Sequence, residues 1–202
     1  MADSLRALAL ICTLNPSPAS SSSELLARQL TDQMADVQTT VIRVVDHNVA
    51  PGVELDMGDG DQWPAIRQQL VEADILVLAT PTWMGQPSSI CQRVLERLDA
   101  ELSESDEQGR PLTFGKVAVA VVVGNEDGAH HISGIIYQCL NDVGYTIPAQ
   151  GVTYWNGEAM HATDYQDLSE TPDKTAATTK TAAANAVHLA RLLGNSNYPS
   201  TT

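Results

Sequence analysis

The chain has 202 residues, of which 43% are hydrophobic and 18% charged, a composition typical of one globular domain with a buried core. Its 25 acidic residues outnumber its 11 Lys and Arg residues, and the net charge of -14 argues against nucleic acid as a partner, because phosphate backbones are bound by clustered cations. Cys12, Cys91 and Cys139 form no Cys-x-x-Cys pair, so the sequence indicates neither a zinc site nor a disulfide framework.

The apolar stretches of the chain are short. None approaches the roughly 20 residues that cross a bilayer. The segment from Met1 to Ser4 lacks the basic stretch of a signal peptide. We therefore expect a cytoplasmic protein that does not engage a membrane.

An apolar strand and a hydroxyl-rich loop come first in the chain. Leu5 to Cys12 is almost wholly apolar, which is typical of a strand buried on both faces of a parallel sheet. Two prolines stop regular structure in the next loop, and the spacing of Ser21 and Glu24 predicts a helix that begins within the serine run. Hydroxyl groups before a helix N-terminus, with no Lys or Arg in the loop, favour an anion site built from dipoles. A flexible loop with an ordinary N-cap is the alternative.

The next segments predict a strand, a loop, a helix and a second buried strand. Thr39 to Val45 is β-branched and strand-like. Residues 50–62 carry glycines and a proline among acidic residues, which predicts a mobile surface loop. Asp61 is placed to cap a short helix that has Pro64 in its first turn. The apolar run Ile75 to Thr80 then predicts the central strand.

The loop after this strand, from Pro81 to Pro87, contains Trp83, Met84 and Gly85. A planar ligand that stacks against a loop needs a small residue for close approach and an apolar wall, which Gly85 and Trp83 would supply. The alternative is that Trp83 is an aromatic residue of the core or of an interface. A helix follows, with its apolar positions on one face: Ile90, Val94, Leu95 and Leu98.

The fourth predicted strand also ends in a polar loop. The acidic segment from Asp99 to Arg110 is expected to be a solvated connection, and the valine-rich run from Lys116 to Val123 is a strand. The loop from Gly124 to Gly128 offers backbone and amide groups that can contact the edge of a heterocycle. His130 and His131 follow at a helix start, and a metal site is not expected because no second ligand cluster accompanies them.

The last third of the chain predicts two helices and one strand. A periodic helix spans 132–143, a fifth strand runs from Gly151 to Trp155, and 156–172 is irregular and polar. A final helix covers about 175–193, and the tail 195–202 is expected to be disordered.

Strand and helix thus alternate along the chain, which predicts a parallel sheet with helices on both faces. In a five-stranded sheet of order 2-1-3-4-5, the loops after the first, third and fourth strands meet where the strand order reverses, and ligands bind there. The sequence lacks the Gly-x-Gly-x-x-Gly turn of dinucleotide-binding domains and the Gly-Lys-Ser/Thr loop of nucleoside triphosphatases. It also lacks the Gly-x-Ser-x-Gly elbow of hydrolases.

The three loops together resemble those of a known family. The most specific part is Pro81 to Arg97, with the sequence PTWMGQPSSICQRVLER. It resembles the NAD(P)H-dependent FMN reductase and flavin-dependent quinone reductase family of the flavodoxin-like superfamily, whose members show a Pro, an aromatic, a Gly, small residues and a helix ending in an acidic-Arg pair. The resemblance extends from Leu5 to Leu193. Gln92 stands where members often carry Lys, and the first loop lacks their Gly-Ser-x-Arg opening.

This resemblance implies a flavodoxin-like three-layer sandwich over residues 1–194 that binds FMN. It implies hydride transfer from NADPH or NADH through FMN to a quinone, a free flavin or a similar small-molecule acceptor. No catalytic protein residue is implied, because FMN carries the chemistry. The implied phosphate ligands are Thr13, Ser20, Ser21 and Ser22. The implied ring platform is Pro81, Thr82, Trp83, Met84 and Gly85, and the ring's polar edge would face Gly124, Asn125, Glu126, Asp127 and Gly128.

The resemblance also implies a homodimer or homotetramer that completes the site across an interface. Two alternatives remain at this point. A flavodoxin-type FMN electron carrier would bind FMN without reductase turnover, but the Thr/Ser-x-Thr-Gly-Asn-Thr phosphate loop of such carriers is absent. A relative that has lost FMN would act through protein contacts, against which the serine-rich first loop and the glycine of the second loop argue.

Overall fold

A computed structural model describes residues 4–159 and 161–200. Strands and helices alternate along the chain, as predicted. The strands are Leu5–Ile11 (β1), Val37–Arg43 (β2), Ile75–Trp83 (β3), Gln86–Pro87 (β4), Val117–Gly124 (β5) and Val152–Asn156 (β6). The helices are Ser22–Asp32 (α1), Trp63–Glu72 (α2), Ser89–Leu98 (α3), Ala129–Asp142 (α4) and Asp173–Asn195 (α5).

Five of these strands form a parallel sheet in the order β2-β1-β3-β5-β6. The short β4 pairs antiparallel with the end of β3 and lies outside this order. Because β5 and β6 are the fourth and fifth parallel strands along the chain, the predicted order 2-1-3-4-5 is confirmed.

The two faces of the sheet pack against different helices, which gives three layers. Alternate residues of the central strands, such as Leu10 and Leu78, pack with the apolar faces of α2, α3 and α4. Their neighbours, such as Ala9 and Val77, pack with α1 and α5. The face of α5 that meets the sheet is mostly alanine, and these small side chains let the helix approach closely.

The predicted mobile loop at 50–62 is held by one buried arginine. The Arg97 guanidinium has no exposed surface and donates 2.7 Å to the carboxylate of Asp61. It also donates to three carbonyl oxygens of the loop, those of Ala50, Glu54 and Leu55. A buried charge is stable only when it is paired and hydrogen-bonded, so this loop is a fixed part of the fold and the prediction of mobility is wrong.

Other differences from the predicted elements are small. β3 continues to Trp83, three residues beyond the predicted end, because β4 pairs with its last residues. The connection from Asp99 to Arg110 is not wholly solvated, because Glu101 is buried and pairs with Arg67 at 2.6 Å. The N-cap of α2 is Gln62, one residue after the predicted cap Asp61, whose carboxylate accepts from the Trp63 N–H at 3.1 Å.

The predicted disordered tail is packed against the domain where the structure describes it. Asn195 is the last residue of α5. The Tyr198 hydroxyl lies 2.9 Å from that of Thr146, and its ring centroid is 5.2 Å from that of Phe114. The disorder of the tail as a whole stays a prediction, and 201–202 lie outside the described residues.

The described residues contain neither a membrane-spanning helix nor a cluster of metal ligands. None of their helices combines the length and the apolar character needed to cross a bilayer. Within 4–159 and 161–200, no group of three or more His, Cys, Asp or Glu side chains could hold a metal ion.

Candidate functional site

The three predicted loops meet around one cavity at the carboxyl ends of β1, β3 and β5. Its volume is about 480 Å³, within the usual range of small-molecule sites. A fourth segment of the chain completes the wall. The lining residues lie at 13–15, 20–23, 81–83, 123–126, 159 and 164–166.

One end of the cavity is the N-terminus of α1. The Ser21 hydroxyl oxygen accepts from the Glu24 N–H at 3.3 Å, which confirms the predicted helix cap. The first backbone N–H groups of a helix have no partner within it, and they carry partial positive charge. The four serines at 20–23 line the cavity beside them, together with Thr13. This end is therefore built to accept an anion.

Arg43 supports this anion-accepting end from behind. Its guanidinium donates to the carbonyl oxygens of Asn15 at 3.2 Å and Ala19 at 2.6 Å, and it pairs with the Glu24 carboxylate. Burial acts to raise the pKa of Glu24, but hydrogen bonds from Arg43 and Arg28 outweigh burial and lower it. Of the described residues that line the cavity, none is Lys or Arg. A bound anion would thus be held by N–H and hydroxyl groups.

The second loop is a tight β-hairpin. Trp83 pairs with Gln86, and the two residues between them, Met84 and Gly85, have φ angles of 53° and 73°. Positive φ at both central residues is the geometry of a type I′ turn, and glycine adopts it without strain. Trp83 lines the cavity and is 55% exposed, so it is not a core residue.

The third loop contacts this hairpin so closely that only glycine fits. A Cβ atom on Gly124 would lie 2.5 Å from the Thr82 Cβ, and one on Gly128 would lie 3.0 Å from the Gly85 Cα. The Glu126 carboxylate accepts from the Met84 N–H at 2.6 Å and ties the two loops together. Two loops that were separate in the sequence therefore form one rigid surface of the cavity.

The hydroxyl of Thr82 has no hydrogen-bond partner among the described residues. Thr82 is only 5% exposed and lies in the cavity wall. A buried hydroxyl without a partner destabilises the protein by about 1–3 kcal/mol, and such groups are rare in native structures. A ligand that fills the cavity and engages this hydroxyl would remove the penalty.

The fourth wall was not predicted from the sequence. Ala159, Asp164, Tyr165 and Gln166 belong to the polar segment after β6, whose composition gave no indication of a site. The Asn125 amide nitrogen donates to the Asp164 carboxylate at 2.8 Å, which joins this wall to the third loop. Because a carboxylate only accepts, this bond also fixes the orientation of the Asn125 amide.

The predicted site residues divide into those that line the cavity and those that support it. Ten of them line it: Thr13, Ser20, Ser21, Ser22, Pro81, Thr82, Trp83, Gly124, Asn125 and Glu126. The other four form the turns behind the lining: Met84, Gly85, Asp127 and Gly128. Contacts of these residues with FMN stay a prediction.

The two histidines lie outside the lining. The His131 Nε2 atom is 3.1 Å from the Gln86 amide nitrogen, and the His130 ring packs edge-on against Tyr154 with centroids 5.2 Å apart. Both also border an open groove along α4 with a volume of about 570 Å³. The structure thus gives them packing and surface roles.

Comparison with known proteins identifies the family. The family model described as NADPH-dependent FMN reductase matches residues 5–155. Over 208 residues the chain is 33% identical to an 8-demethyl-8-aminoriboflavin-5'-phosphate synthase of Streptomyces davaonensis, an alignment that covers 96% of this chain and 80% of that protein. Over 200 residues it is 36% identical to a protein of Mycobacterium bovis named divalent metal cation transporter MntH. That alignment covers 95% of this chain but only 29% of the transporter.

A solved structure agrees with these relatives. RosB, with the bound intermediate 8-demethyl-8-formylriboflavin-5'-phosphate, superposes with a TM-score of 0.85 at 31% identity. The match covers 96% of this chain and 82% of that one. The predicted flavodoxin-like fold is confirmed by this likeness and by the strand order. The family description confirms the predicted flavin-dependent oxidoreductase class with FMN as the cofactor, and a reduced nicotinamide as co-substrate is consistent with that description. The chain belongs to the NADPH-dependent FMN reductase family.

Proposed function

We propose that the protein binds FMN in the cavity and transfers hydride equivalents from NADPH or NADH to a small-molecule acceptor such as a quinone or a free flavin. The observation that carries this proposal is the composition of the cavity from end to end. One end is the α1 N-terminus with its serines, and the other is the Trp83 hairpin packed on Gly124. A flavin phosphate has the same order of groups, with an anion at one end and a flat ring at the other.

The residues present fit FMN on three points. The serines at 20–22 and Thr13 would bind its phosphate through hydroxyl and backbone N–H groups. Thr82 offers a hydroxyl that lacks a partner among the described residues, and Trp83 offers an apolar surface beside it. Gly124 and Gly128 keep the loops close together. When bound, FMN supplies the hydride-transfer chemistry, so the chain needs no nucleophile of its own.

The proposal is tested with purified protein, FMN, either nicotinamide cofactor and menadione as a quinone acceptor. We expect a yellow complex and oxidation of NADPH or NADH that requires both FMN and the protein. A complex that forms with FMN but oxidises neither nicotinamide would favour the flavodoxin-type carrier instead. Failure to bind FMN would contradict the proposal altogether.

A second candidate function is chemical modification of the flavin phosphate itself. It is favoured by the likeness to a protein named as an aminoriboflavin-phosphate synthase, at 33% identity over most of both chains. In this case the same cavity would hold FMN as a substrate. Mass spectrometry of the flavin after incubation in air with a mixture of amino acids separates the two functions. A flavin of unchanged mass supports the reductase, and a flavin of altered mass supports the second candidate.

We also infer that the protein is a homodimer or homotetramer. The support is the exposure of Met84, at 90%, and of Trp83 beside the cavity, since large apolar groups at a site are often covered by a partner. Light scattering after size-exclusion chromatography tests this, and a monomer would contradict it. The cytoplasmic location stays a prediction.

A further inference from the structure

The fourth wall of the cavity lies beyond the part of the chain that the family model matches. That match ends at Trp155, and the wall residues Ala159, Asp164, Tyr165 and Gln166 follow it. The wall is therefore not described by the family match. Such a position is suited to setting which ligands the site accepts.

Several bonds fix the wall to the predicted loops. The Gly157 N–H donates to the Gly124 carbonyl at 2.8 Å, and the Gln166 N–H donates to the Ser22 hydroxyl oxygen at 3.3 Å. The Tyr165 hydroxyl donates to the Gln29 side chain at 2.6 Å, and its ring lies 5.5 Å from that of Trp155. The wall is thus held on both the ring side and the anion side of the cavity.

Gln166 carries a side-chain oxygen that is not satisfied. Its Oε1 atom is shielded from solvent and has no hydrogen-bond partner among the described residues, although the residue lines the cavity. An acceptor in this state destabilises the protein until a donor reaches it. The last torsion of a glutamine side chain is broad, so its amide turns toward the cavity at little cost.

We propose that Gln166 is a ligand-binding residue that accepts hydrogen bonds from hydroxyl groups on the chain between the phosphate and the ring of a bound flavin. Its backbone bond to Ser22 places it near the anion end of the cavity. The phosphate is not a suitable partner for the Oε1 atom, because an ionised phosphate accepts hydrogen bonds and carries almost no donor at neutral pH. The hydroxyl groups of this connecting chain, the ribityl chain, are hydrogen-bond donors, and they lie next to the phosphate in the ligand. This inference rests on the proposed binding of FMN.

The test compares three flavins by fluorescence titration. FMN has the ribityl chain and the phosphate, riboflavin has the chain alone, and lumiflavin has neither. The variants are Gln166→Leu, which removes the acceptor, and Gln166→Glu, which keeps acceptor oxygens. Gln68→Leu, at an exposed position of α2, is the matched control.

For Gln166→Leu we expect affinities for FMN and riboflavin to fall by about five- to tenfold, as for loss of one or two hydrogen bonds, while lumiflavin affinity stays within about twofold. Gln166→Glu should bind riboflavin within about threefold of wild type, because the acceptor is kept.

The inference is overturned if the flavin affinities of Gln166→Leu equal those of Gln68→Leu. It is also overturned if Gln166→Leu loses as much affinity for lumiflavin as for riboflavin, or if Gln166→Glu loses as much affinity for riboflavin as Gln166→Leu does. Wild-type protein that binds no flavin would instead contradict the proposed function and the inference together. Circular dichroism melting checks that each variant is folded.

Discussion

At the scale of single residues, the contact between Thr82 and Gly124 shapes the ring side of the cavity. The end of β3 and the end of β5 approach so closely that a methyl group on Gly124 would meet the Thr82 side chain at 2.5 Å. No positive φ is involved at this glycine, so the requirement is one of space alone. The Thr82 hydroxyl that this contact buries is the polar atom that a ligand is expected to engage.

We predict that Gly124→Ala separates the two loops. Overpacking of this kind costs about 1–3 kcal/mol of stability, and FMN affinity should fall by about tenfold or more because the ring platform is displaced. Thermal melting and FMN titration measure the two effects.

Gly134→Ala is the matched control for this change. Gly134 lies within α4, and a methyl group added there would have nothing within 4 Å, so alanine should be neutral or stabilising by up to about 1 kcal/mol. Equal behaviour of the two variants would contradict the steric account of Gly124.

At the scale of elements, the start of α1 combines a structural and a binding role. The Ser21 side chain caps the helix, and its neighbours Ser20, Ser22 and Ser23 line the anion end of the cavity. The Arg43 guanidinium donates to two carbonyl oxygens of the loop before α1, those of Asn15 and Ala19. Structure and binding can be separated here, because Asp caps a helix as well as Ser does but carries a negative charge.

We predict that Ser21→Asp leaves the melting temperature unchanged or raises it, while FMN affinity falls by about tenfold or more through repulsion of the phosphate. Riboflavin, which has no phosphate, should lose no more than about threefold. Ser21→Asn caps without charge and should bind riboflavin as the wild type does, while its loss of FMN affinity should be smaller than that of Ser21→Asp because only the hydroxyl is lost. An equal loss of FMN and riboflavin in Ser21→Asp would show that the phosphate does not bind at this helix end.

The loop at 50–62 is stabilised by the buried ion pair between Arg97 and Asp61. Burial acts to raise the pKa of Asp61, but hydrogen bonds from the Met57 N–H and the Arg97 guanidinium, among others, outweigh burial and lower it to about 2. Arg97→Met should cost about 3–5 kcal/mol, because it leaves Asp61 buried without its partner. Arg191→Met, which breaks an exposed pair with Asp36, should cost less than about 1 kcal/mol in the same denaturant titration.

The lowered pKa of Asp61 also predicts how stability depends on pH. An Asp in the unfolded chain has a pKa of about 3.9, so the stabilisation from ionised Asp61 is complete above about pH 5 and is lost as the pH falls toward 2. The contribution is about 2 kcal/mol. Denaturant titrations between about pH 5 and 2.5 should show this loss in the wild type and a smaller one in Asp61→Asn. Identical pH profiles would contradict the role of Asp61.

At the scale of the whole molecule, the features that depend on local sequence patterns could be predicted from the sequence. The apolar run of β1, the Ser21 cap and the alternation of strands and helices sufficed for the fold and for the edge of the sheet that carries the cavity. The fourth wall could not be predicted, because Gln166 meets Ser22 across 144 positions of sequence in a segment without periodicity. The fixed loop at 50–62 escaped prediction for a similar reason. Arg97 binds the loop largely through backbone carbonyl groups. Every residue type carries such a group, so the amino-acid sequence does not reveal these bonds.

The central claim is that four distant segments form one flavin phosphate site. Hydrogen–deuterium exchange of the wild-type protein with and without FMN tests it most directly, because it reports on all segments at once. We predict that FMN slows exchange at 13–24, 81–87, 124–128 and 157–166 together, with little change along the α4 groove at 134–139 or at the far ends of the strands. Unchanged exchange at these four segments, or protection confined to the α4 groove, would contradict the account.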